Sequence, residues 1–170
     1  MAFMFLIASC HLWAQDISET ELDFIDHYLE SKEQEYSVSE YREARSYTRG
    51  SILKHDSNDL ALLYTLEAFN QGNNYYFFLA VFTEQDGKLQ LVDDQIVGGK
   101  GSRSLALDSI ENGVIKFTTR FSVLSDPTCC SSGEGLAFYV VRKEFRSEKM
   151  SLKELNMAPE MPKIYPEIEE

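Results

Sequence analysis

Apolar and polar positions alternate most strictly over residues 113–123. Ile115, Phe117, Thr119, Phe121 and Val123 fall on one side, and Val114, Lys116, Thr118, Arg120 and Ser122 on the other. A period of two predicts a half-buried strand. Residues 60–69 and 75–82 are instead almost continuously apolar and rich in aromatics. That pattern fits central strands covered on both faces. Residues 89–97, 102–110 and 136–145 complete the set, and residues 51–55 add a short strand. Asp86-Gly87 and Asn112-Gly113 predict tight hairpins, because a type I′ turn needs positive φ at both central positions. Gln71-Gly72-Asn73-Asn74 predicts a longer hairpin loop. Strands joined in this way form an antiparallel meander.

Ahead of the strands the period changes to that of a helix. Leu22, Ile25 and Leu29 share one face, with Phe24 and Tyr28 alongside. Ser18 followed three residues later by Glu21 is a capping box, and Ile17 with Leu22 is a hydrophobic-staple pair. Asp26, Glu30 and Glu33 form an acidic opposite face, expected in solvent. The fold class is therefore α+β. An N-terminal amphipathic helix covers a mostly antiparallel meander sheet of about six or seven strands. The sheet is strongly curved or folded into a small sandwich, since one helix covers only part of one face. The expected organisation is a signal segment at 1–14, the helix within 15–35, a β-domain at 36–147 and a polar, Pro-bearing tail at 148–170. That tail has room for a helical turn at 151–156.

Composition narrows the partners. The chain has 170 residues, 44% of them hydrophobic, and a formal charge of -12. That is one globular domain by size. Its negative charge disfavours a phosphate backbone, so nucleic acid is not an expected partner. No apolar run is long enough for an internal transmembrane helix.

The first residues, MAFMFLIASCHLW, are apolar and followed by Ala14. A short apolar run ending at a small residue is the core and cleavage site of a secretory signal, so export to the periplasm or medium is expected. Cleavage after Ala14 would leave Gln15 first. No Lys or Arg precedes the run, in departure from the usual signal. Ile7-Ala8-Ser9-Cys10 also fits a lipobox, which would make Cys10 a lipid anchor in the bacterial envelope. If residues 1–13 are retained and folded, the chain is instead a cytosolic acidic interaction protein.

The segment Asp126-Pro127-Thr128-Cys129-Cys130-Ser131-Ser132-Gly133 is the chemically most unusual stretch. Adjacent cysteines admit a vicinal disulfide, which is strained and easily reduced because neighbouring Cα atoms are only about 3.8 Å apart. They also admit a soft-metal site, which needs further ligands, a nucleophile, which needs a base, or a purely structural loop. Gly98-Gly99-Lys100-Gly101 is not a phosphate loop, since it leads into a strand. Asp56-Ser57-Asn58-Asp59 is too short for a calcium loop and lacks its Gly. Glu67 interrupts an apolar run. A buried carboxylate needs a partner, and Arg103 or Arg120 on neighbouring strands would supply it.

Several segments together resemble a group of small exported bacterial proteins with an Asp-Pro-x-Cys-Cys-Pro-Ser motif, to which LppP/LprE-type lipoproteins are distantly similar. They are residues 60–67, Asn73-Asn74-Tyr75 leading into residues 79–82, residues 97–101 with Arg103, and Asp126-Pro127-Thr128-Cys129-Cys130. The resemblance spans about residues 50–146. Ser131 stands where the group has Pro, and the turn at 56–59 is shorter than the group's. The resemblance implies export and a β-rich domain, and carries no activity. Two groups of site residues follow: a loop of Asp126, Pro127, Cys129 and Cys130, and a polar cluster of Glu67, Asn73, Asn74, Lys100 and Arg103. The expected function is an exported, non-enzymatic module that binds a protein or small molecule, without cofactor or metal. The alternative is a thiol-based redox or soft-metal protein centred on Cys129 and Cys130.

Overall fold

The computed structural model describes residues 17–126, 131–144 and 147–155. Helix α1 spans Glu19–Tyr36. Its capping box forms as the sequence predicts: the Glu21 amide donates to Ser18 Oγ at 3.3 Å, and the Ser18 amide to Glu21 Oε2 at 3.0 Å. Nine strands follow: β1 (Ser39–Glu40), β2 (Ser46–Gly50), β3 (Asp59–Glu67), β4 (Tyr75–Gln85), β5 (Lys88–Gly99), β6 (Arg103–Glu111), β7 (Val114–Phe121), β8 (Gly133–Lys143) and β9 (Met150–Glu154). They form two sheets, with every pairing antiparallel. In the first, β1 and β2 share one edge of β3, which pairs with β4 and then β5. The second runs β6-β7-β8-β9.

The fold class is α+β, as the pattern predicts, in its sandwich form. Leu60, Leu62, Tyr64 and Leu66 of β3 join Ile25 and Leu29 of α1 in one buried cluster. Ala61 and Leu63, on the other face of β3, join Ile115, Phe117 and Tyr139 of the second sheet in another. The continuous apolar run of β3 thus has cover on both sides. Each such Leu contributes roughly 1.5–3 kcal/mol by leaving water. Asp86 and Gly87 have φ of 52° and 72°, and Asn112 and Gly113 of 51° and 79°, so both short hairpins form at the predicted dipeptides. The chain changes sheet once, at residues 99–102. A β-carbon on Gly98 would lie 2.5 Å from the Arg103 carbonyl oxygen, so this close crossing requires glycine.

Four expectations need correction. The strands number nine among the described residues, not six or seven. Residues 51–55 are not a strand. The Asp59 carboxylate takes the amides of Ile52 and Leu53 at 3.0 and 2.8 Å and bends the chain there, and the strand lies one step earlier at β2. Residues 150–154 are neither tail nor helical turn but edge strand β9, with Leu152 buried. Finally, Asp26 and Glu33 are not merely solvated: Asp26 bridges Arg42 at 2.9 Å and Arg45 at 2.5 Å, while Glu33 accepts the Glu40 amide at 2.6 Å.

Candidate functional site

Strands β3, β5, β7 and β9 end, and β4, β6 and β8 begin, at one end of the sandwich. Loops 68–74 and 100–102, and residues 122–126 with 131–132, therefore gather there. Glu67, Asn73, Asn74, Lys100, Arg103 and Asp126 all lie at this end. Pro127, Cys129 and Cys130 lie outside the described residues, as do Cys10 and the segment read as a signal.

The polar cluster separates into three parts. Lys100 Nζ donates to the Asn73 carbonyl, and its amide donates to the Tyr75 carbonyl at 3.0 Å. The Asn74 carbonyl accepts the Ala68 amide at 2.9 Å and closes the 68–74 loop. Glu67 is exposed at the end of β3, and the structure does not bring it to Arg103. The reason is register: β3's apolar run stops at Leu66, so Glu67 falls beyond the covered stretch.

Arg103 instead meets Glu154, which the sequence pattern missed. The guanidinium is bidentate, at 2.6 and 2.8 Å, and also donates to Tyr139 Oη at 2.6 Å and the Val97 carbonyl at 2.9 Å. Tyr139 in turn donates to Glu154 at 3.1 Å. One guanidinium thereby ties the crossing segment to β8 and β9. The available signal was the alternation of Met150, Leu152 and Glu154, which puts Glu154 on the inward side of a strand.

Of the other group, the structure describes Asp126 and the residues on either side, 122–126 and 131–132. Asp126 accepts the amides of Val123 and Ser132, each at 2.8 Å, and the Ser132 hydroxyl at 2.6 Å. The Ser132 hydroxyl, then its amide and that of Val123, hold the Asp126 carboxyl below its ordinary range. Ser122 and Ser131 hydroxyls meet at 2.9 Å across the same neck. This brace presents Leu124 with its side chain fully in water, beside exposed Val123.

A second polar group lies under α1. Asp94 on β5 receives the hydroxyls of Tyr28 at 2.6 Å and Tyr64 at 3.0 Å, with Lys32 Nζ at 3.3 Å. Burial, and then the Asp94 charge, push both phenols far above their usual range, so they are donors rather than bases or nucleophiles. The group is a clasp between helix and sheet. Among the described residues no three His, Cys, Asp or Glu side chains are placed to hold a metal ion. Also among the described residues, no helix is long and apolar enough to cross a membrane. Comparison of the chain with protein-family models, curated proteins and solved structures finds no match.

Proposed function

We propose that this is an exported, non-enzymatic binding module that contacts its partner through the loop-bearing end of the sandwich. The export half rests on the apolar segment ahead of Ala14 and on the resemblance to small exported proteins. The binding half rests on the braced loop. Asp126 fixes both sides of the loop neck, so little ordering entropy is lost on contact, and Leu124 is held out as an apolar anchor. A partner of matching chemistry offers an apolar pocket and avoids strong negative charge, given the -12 of this chain.

A photo-reactive residue at position 124, with the same residue at position 86 on the opposite end, tests this in the native host. A discrete adduct from position 124 alone is expected. No adduct, or the same adducts from both positions, overturns the reading.

A thiol-based role for Cys129 and Cys130 is the second reading, favoured by the brace that flanks them on both sides. In an oxidising compartment each has the other as its nearest thiol once Cys10 is removed or lipidated. Thiol titration of the folded, non-reduced protein is expected to find neither of them alkylated. Two free thiols would exclude the disulfide. Replacing both with Ser should leave the denaturation midpoint nearly unchanged, because so small a closed loop removes little chain entropy.

A further inference from the structure

Residues 68–74 join β3 to β4 through an unfavourable backbone. Ala68, Asn70 and Gln71 have φ of 67°, 55° and 56°. The left-handed region is costly for any residue with a β-carbon, least so for Asn. Such conformations persist only where the surroundings over-determine them, and they cluster at ligand clamps and switch regions.

One side chain holds the tip of this loop down. Residues 68–74 are all exposed except Phe69, which is half-buried. Its ring centre lies 4.8 Å from that of Tyr76, 5.9 Å from Tyr36 and 6.5 Å from Phe78. Tyr36 ends α1, and Tyr76 and Phe78 stand on the face of β4 that packs with the helix. Phe69 thus fills a seat of three rings at the rim of the helix–sheet core. The base of the loop is pinned separately. The Ala68 amide donates to the Asn74 carbonyl, and Lys100 Nζ to the Asn73 carbonyl. The tip can therefore swing out while β3 and β4 stay paired. Phe78 is 2% exposed with Phe69 in place, so withdrawing the plug bares apolar surface that an incoming ring would cover.

The seat selects its occupant. Edge-to-face and stacked contacts favour a planar ring over an aliphatic chain. Lys32 Nζ lies 5.7 Å from the Tyr36 ring but is engaged by Glu35 and Asp94, so a neutral ring fits best. Phe69 itself enters from an exposed, polar stretch of backbone, which is how a ring on another polypeptide would arrive. We propose that Phe69 is a resident plug, and that the seat of Tyr36, Tyr76 and Phe78 takes a neutral aromatic side chain of a partner polypeptide in its place. Relaxation of the left-handed residues offsets part of the cost of withdrawing Phe69. The inference rests on this loop and α1, and stands or falls independently of Leu124.

The probe is N-acetyl-phenylalaninamide, with N-acetyl-leucinamide and p-cresol as controls, read by amide shifts in the full chain. Phe69→Ala empties the seat at a half-exposed position. Saturable shifts at Tyr36, Tyr76 and Phe78 are expected in this variant. Affinity should exceed that of the unaltered chain at least about tenfold, since a minor open state is at most about 10% populated. In the unaltered chain the probe should speed hydrogen exchange of the Gln71 and Gly72 amides, which bond within the closed tip. Gln71→Gly relieves one left-handed residue and should weaken probe binding about fivefold. Equal affinity in the unaltered chain and Phe69→Ala overturns the proposal, as does equal binding of the leucine control. Equal binding of p-cresol assigns the seat to free aromatics and also overturns it. If Phe69→Ala does not fold, the exchange measurement and Gln71→Gly decide alone, and no effect in either overturns the proposal.

Discussion

Replacing Asp94 with Ala is expected to destabilise the protein by about 3–5 kcal/mol, the cost of removing one partner of a buried ionic group. Its side chain is 7% exposed and that of Lys32 is 17% exposed, and the carboxylate left to Lys32, Glu35 at 3.0 Å, is itself half exposed. Two phenols would also lose their acceptor. The direction of the Tyr shifts matters here. Neither hydroxyl can ionise to neutralise Lys32 near neutral pH. Asp94→Asn keeps an acceptor of the same shape and should cost clearly less than Asp94→Ala. Urea midpoints at constant slope measure both. Changes within about 0.5 kcal/mol for both variants would show that the clasp does not hold α1 in place.

Arg103→Leu should be the next most damaging change. It leaves Glu154 and the buried Tyr139 hydroxyl without their guanidinium. Glu154 is 35% exposed at its side chain, which lets water recover part of its solvation. The expected loss is therefore about 2–3 kcal/mol, below that for a fully buried pair. Arg103→Lys should restore only part of it, because an ammonium cannot reproduce the two parallel hydrogen bonds. Glu67→Leu, by contrast, should stay within about 0.5 kcal/mol, since Glu67 is exposed. Comparable losses for Leu at 67 and at 103 would contradict this assignment.

The elements that the sequence made legible are those whose signal is local. The capping box at Ser18 and Glu21, the two Gly hairpins and the alternation of β7 each depend on residues within a few positions of one another. Failures arise where a side chain from elsewhere decides. Asp59 takes the amides of residues 52 and 53 away from strand pairing. Strand β9 escapes notice because its inward Glu154 breaks the apolar alternation, and only Arg103, 51 positions earlier in the chain, accounts for it. Glu67 stands out in an apolar run, yet its position just past the covered stretch is fixed by where β1 and β4 begin opposite it. The gathering of Lys100, Arg103 and Asp126 at one end follows from the meander order, which the turns did predict.

That meander order also sets the sequence in which the chain can assemble. Apart from β1, the strands within each sheet pair with their neighbours in sequence, so each sheet grows from one unbroken stretch by short loop closures. Helix α1 is the exception. It is the first element in the chain, but Tyr28 finds Asp94 only 66 residues later. Until β5 exists, the face of α1 bearing Ile25 and Leu29 has no finished sheet to cover, and its clasp cannot close. The element formed earliest by local capping is thus locked only once the first sheet has reached β5.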